Sequence, residues 1–138
     1  MQLHLNTLKV LVGLLIFFGS QSTKAQYKHP DRDYDNKDLD DVPRYPGKLE
    51  GLLSEIGSHI KYPPYAARKG IQGRVYVEFV VQIDGTIREP KVVKGIGAGC
   101  DEEAIKALKK LSKKFTPAIK DGELVETKMV IPILFSLN

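Results

Sequence analysis

The stretch GIGAGCDEEA, from Gly95 to Ala104, gathers three glycines, the only cysteine of the chain and three consecutive carboxylates. Two chemistries could use such residues. One is a phosphate cradle, in which a glycine-rich turn opens a helix and bare amides meet the anion. Gly95 and Gly97 fit the first two positions of G-x-G-x-x-G, but the third falls on Cys100. Asp101, Glu102 and Glu103 then fill the first helical turn and satisfy the positive end of the helix dipole themselves. A phosphate would meet their charge, so the stretch reads as a turn and a capped helix. The other chemistry is a nucleophilic thiolate at the helix N-terminus. The neighbouring carboxylates disfavour the thiolate form, and no base with an orienting partner can be named for it. The chain is read as a non-enzyme.

Metal ligation is read no more favourably. Asp31, Asp33 and Asp35 alternate as the early ligands of an EF-hand loop do. The sixth position, however, is Asn36 where glycine is wanted, and the twelfth is Val42 where a bidentate glutamate is required. A solvated acidic linker accounts for the pattern, and no metal or cofactor is implied. His59 ends a helical pattern without a second histidine or cysteine nearby, which suits capping or solvent exposure better than ligation.

The elements that carry these residues belong to a short chain. Its 138 residues are 28% charged and 42% hydrophobic, enough for one domain with a small core. Residues 1–25 differ in kind: Lys9 precedes the apolar run VLVGLLIFFG, and polar SQSTKAQ follows. That order predicts a secretory signal peptide cut after Ala25. A retained membrane anchor is the alternative, although the run is shorter than the roughly 20 residues a spanning helix needs. With one cysteine, an exported domain has no internal disulfide and must stand on packing. Residues 26–45 read as an acidic disordered leader and residues 46–138 as the folded domain. A net charge of +4 is too small to suggest a nucleic-acid stripe.

Within the domain, Leu49, Leu52, Leu53, Ile56 and Ile60 recur at helical spacing, predicting an amphipathic helix over about 48–59. Tyr62-Pro63-Pro64 stops it. A short second helix follows, with Pro64 near its start and Gly70 past its end. The period then changes to two: Val75, Val77, Phe79 and Val81 share one face of a strand, with Tyr76, Glu78 and Gln82 on the other. Asp84-Gly85 predicts a hairpin turn, and Pro90 in the return strand predicts a sheet edge or a bulge. After the helix that bears Ala104, Ile105, Leu108 and Leu111, Asp121-Gly122 marks another turn. The final strand TKMVIPILFSL is apolar on both faces, and Pro132 places it at an edge. The expectation is an α+β fold with a three-stranded antiparallel sheet in order 2-1-3 and helices on one face.

These features arrive in a recognisable order. Tyr62-Pro63 with Ala66, GIQGRVYVEFVV, the Asp84-Gly85 turn, the Asp101–Ala104 run and VIPILFSL together resemble the C-terminal domain of the TonB family of energy transducers. The resemblance covers about residues 46–138 and implies the same small sheet with helices on one face. It also implies a binding module of the periplasm, in TonB-dependent transport through the outer membrane. Such a domain captures an extended receptor segment, the TonB box, alongside its last strand. By position this maps onto Thr127, Lys128, Met129, Val130, Ile131, Pro132, Ile133 and Leu134, with Tyr62 and Pro63 nearby. The alternative role is a full energy transducer, held by an uncleaved N-terminal helix and coupled to inner-membrane motor proteins. Pairing of two copies into a homodimer through the same edge is left open.

Overall fold

The computed structural model describes residues 38–138. The segment read as a signal peptide and the alternating aspartates Asp31, Asp33 and Asp35 lie outside the described residues. Helix α1 spans Lys48–His59 and α2 spans Pro64–Lys69, with Pro64 at its first position and Gly70 closing it in the left-handed region. Strands β1 (Gly73–Val81) and β2 (Ile87–Lys94) form a hairpin, and α3 (Cys100–Leu108) follows. Two short strands, β3 (Ala118–Lys120) and β4 (Glu123–Val125), precede β5 (Thr127–Phe135).

The main sheet has the order β2-β1-β5, antiparallel throughout. This is the α+β topology the sequence predicts. Both proline-bearing strands lie at edges, where a missing donor breaks no ladder. β2 is irregular: its register against β1 shifts twice, and Glu89, beside Pro90, takes a positive φ of 51°. β5 pairs with β1 without a shift, from Gly73↔Phe135 to Val81↔Thr127.

Alternation decides the core. Val75, Val77, Phe79 and Val81 of β1 and Ile131, Ile133 and Phe135 of β5 are buried under the helices. α3 adds Cys100, Ala104, Ala107 and Leu108, and α1 adds Leu52 and Ile56. Leu49 departs from the helical pattern read in the sequence. It lies on α1 but remains 49% exposed. α3 packs over β1 and β2, whereas α1 packs beside α3 and over β5.

The hairpin turn is held from outside. Gly85 has φ 83°, and a Cβ there would stand 2.1 Å from the carbonyl oxygen of Phe115. Only glycine admits that approach, which lets the Phe115 amide donate to the Gly85 carbonyl at 2.9 Å.

A second, two-stranded sheet of β3 and β4 surrounds the Asp121-Gly122 turn. At three residues each, these strands are too short for an alternation to show in the sequence. The chain before Pro46 joins this sheet. Arg44 and Thr116 exchange amide-to-carbonyl bonds of 3.0 and 2.7 Å, and the Asp40 and Ile119 amides bond to Ile119 and Asp41. Tyr45 is only 5% exposed and Asp40 is already bonded to Ile119, so order begins several residues ahead of Pro46, where the sequence placed its onset.

Candidate binding site at the open edge of β5

The glycine loop is closed to ligands by its own helix. The Asp101 carboxylate accepts the Ile96 amide at 2.9 Å and the Gly97 amide at 3.3 Å, the groups a phosphate would need. A Cβ at Gly95 would fall 2.2 Å from that carboxylate, and one at Gly99 would press on Pro63. Glu103 accepts the Lys61 amide at 2.9 Å. Cys100 is fully buried, and burial, followed by the charges of Asp101 and Glu102, raises its pKa. A buried, protonated thiol is a packing residue.

The edge of β5 has a different character. Its inner side pairs with β1, and no strand pairs with its outer side among the described residues. Which groups point outward follows from the hairpin. The Gln82 amide donates to the Thr86 carbonyl, and the Gln82 carbonyl accepts the Gly85 amide, so Gln82 faces the β2 side. Main-chain groups alternate along a strand, so odd-numbered residues of β1 face β5. Their partners Thr127, Met129, Ile131 and Ile133 therefore face back toward β1. Lys128, Val130, Pro132 and Leu134 turn their main chain to the open side. The position of Pro132 agrees, since its partner Tyr76 asks for no donor.

The side chains divide in the same way. Thr127, Ile131 and Ile133 are buried, and Met129 is half-buried. Val130 and Leu134 are 52% and 60% exposed on the sheet face that carries no helix. The apolar pattern on both faces of the final strand thus has two causes. One face makes the core, and the other remains open at an edge.

Helix α1 forms a wall along this edge. Between Leu53 and Ile56 of the helix, with Ile60 just past its end, and Pro132 to Leu134 of the strand lies an apolar groove of about 260 Å³. A second depression of about 160 Å³ adjoins Met129, under Tyr45, Leu49 and Leu52. The half-exposure of Leu49 is explained by this position. The helical period signals an amphipathic helix, but nothing in it shows that part of the apolar stripe borders a groove.

Tyr62 and Pro63 sit at the far end and are already engaged. The Tyr62 hydroxyl donates to the Ile71 carbonyl, and its ring meets Phe135 edge-on at 5.7 Å. Burial raises the Tyr62 pKa, with a smaller contribution from Cys100. Tyr62 fixes the C-terminal end of β5, and Pro63 packs on the glycine loop. Of the residues read from the sequence, the structure brings Lys128, Val130, Pro132 and Leu134 together as an open edge. Leu53, Ile56 and Ile60, read from the sequence only as core positions, complete its wall.

The fold and the site define a small α+β domain whose last strand leaves an apolar edge unpaired beside a grooved helix. Residues 58–137, more than half of the chain, match the family described as Gram-negative bacterial TonB protein C-terminal. The chain belongs to this family. It is 36% identical over 91 residues to a TonB protein of Helicobacter pylori, covering 65% of this chain and 31% of that one. A Vibrio cholerae TonB protein is 33% identical over 79 residues, 56% of this chain and 32% of that protein. The chain thus spans about a third of the length of these relatives. The solution NMR structure of the Helicobacter pylori TonB C-terminal domain superposes with a TM-score of 0.50 at 31% identity. That match covers 65% of this chain and 80% of the other. Among the described residues, no helix is long and apolar enough to cross a membrane.

Proposed function

We propose that this protein is a periplasmic binding module of TonB-dependent transport, and that it captures an extended segment of an outer-membrane receptor alongside β5. The observation that carries the reading is the open edge itself. Lys128, Val130, Pro132 and Leu134 present main-chain groups outward, next to a groove walled by Leu53, Ile56 and Ile60. A peptide added there gains main-chain hydrogen bonds from the strand, while its alternate side chains enter the groove. The other alternate side chains lie beside Val130 and Leu134 on the open face. Family membership supports the partner class.

The test is titration of the protein with synthetic peptides from the N-terminal segments of outer-membrane receptors of its host. Saturable binding with amide shifts along 127–135 is expected. Saturable binding that leaves these amides unmoved would place the partner elsewhere.

A further inference from the structure

We propose that Pro132 is a selectivity determinant of the β5 edge: it blocks pairing with a second copy of the same strand and leaves the edge usable by a foreign one. The foreign-segment half of this statement rests on the strand-capture reading above; the self-pairing half does not.

The edge has the properties that drive strands together. β5 runs nine residues, pairs with β1 without a bulge, and exposes Val130 and Leu134 by more than half. A long, regular, apolar edge is a template for another copy of itself. Charge alone does not blunt it, since Lys128 is the one charged residue of the strand. The remaining device is Pro132, near the middle of the outward row 128, 130, 132 and 134. There the row keeps a carbonyl but lacks an N–H.

The geometry makes this gap asymmetric between partners. Two copies of one edge meet about a two-fold axis, so each residue of the interface acts twice. Any register that spans Pro132 then loses two donors and leaves two carbonyls unpaired, one on each copy. Pairing about Pro132 itself would set each of these carbonyls against the other copy's proline ring, which offers no N–H. A foreign strand that carries its own amides loses a single bond, at one place. An unmade bond at a buried carbonyl is costly, so doubling the defect separates the two kinds of partner. β2, the opposite edge, is protected differently, by its register shifts and by Pro90.

Restoring the donor tests the idea without touching the core, because Pro132 faces outward and β5 takes extended backbone that alanine and valine adopt readily. Sedimentation equilibrium of the protein and of its Pro132→Ala and Pro132→Val variants reads the result. The wild type is expected to self-associate weakly, and both variants at least about tenfold more tightly, with amide shifts on Lys128 to Leu134. Variants that associate no more than the wild type would overturn the proposal. So would tighter association whose shifts miss β5. Peptide capture by the wild type, measured in parallel, reports on strand capture alone, so either idea can fail without the other.

Discussion

The phenol of Tyr45 donates to the Glu55 carboxylate at 2.7 Å, tying the chain ahead of the domain to the middle of α1. The other carboxylate oxygen accepts the Ser112 amide at 2.7 Å and its hydroxyl at 2.6 Å, which fastens the loop after α3 to the same point. One side chain therefore joins three segments remote in sequence. It fastens α1 to these segments, and α1 is the wall of the groove.

This junction predicts a pH dependence on both sides of neutrality. Bonds from Ser112, then from Tyr45, lower the Glu55 pKa to about 2. A depressed carboxylate stabilises the fold above its unfolded pKa, and that contribution is lost as pH falls from about 4.5 toward 2. Burial, then the bond to Glu55, raises the Tyr45 pKa to about 12. The neutral phenol therefore stabilises the fold below pH 10, and its contribution is lost as pH rises toward 12. Thermal unfolding across pH should show both limbs. Glu55→Gln should flatten the acid limb, and an unchanged acid slope in that variant would remove Glu55 from the account.

Phe79 is fully buried in the middle strand, with its ring 5.7 Å from that of Phe115. Phe79→Ala should cost about 3–5 kcal/mol in denaturant unfolding, as for other buried aromatic truncations. Without a disulfide to support so small a core, a loss of that size could unfold the domain. A cost below about 1 kcal/mol would reverse the assignment of faces in β1.

Cys100 should be silent to thiol reagents in the native state. It is fully buried and its pKa is raised, so modification should follow global unfolding and accelerate with denaturant. Cys100→Ala should leave partner binding unchanged. Rapid native-state modification, or loss of binding in that variant, would show that the loop is more than a capped turn.

Much of the architecture was legible because the periods were clean. Leu52 and Ile56 gave α1, the alternation from Val75 to Val81 gave β1, and Pro90 and Pro132 gave the two edges. The loop at Gly95 to Asp101 was legible because three carboxylates compete with any anion, and Asp101 does occupy the amides. Three-residue strands carry no readable period, so β3 and β4 were hidden, and with them the pairing of Arg44 to Thr116. The outward direction of Val130 follows from its two-residue spacing from Pro132 once the unbroken β1–β5 register and the bonds of Gln82 fix which residues face β1. The groove beside Leu53 had no local signal, because a residue that borders a groove and one that fills a core share the same helical position.

The central claim is that β5 offers its outward amides to an extended partner, and a single backbone change tests it most directly. Val130 turns its N–H away from β1, so Val130→Pro removes an outward donor without breaking the β1 ladder. Val130→Ala keeps the donor and trims only an exposed side chain. In titrations with receptor N-terminal peptides, the proline variant should bind about tenfold more weakly and the alanine variant nearly as well as the wild type. Amide shifts in the wild type should run along Lys128 to Leu134. Shifts that gather instead on Ala104 to Leu111 with β5 silent, or a proline variant that binds as the wild type does, would contradict strand capture.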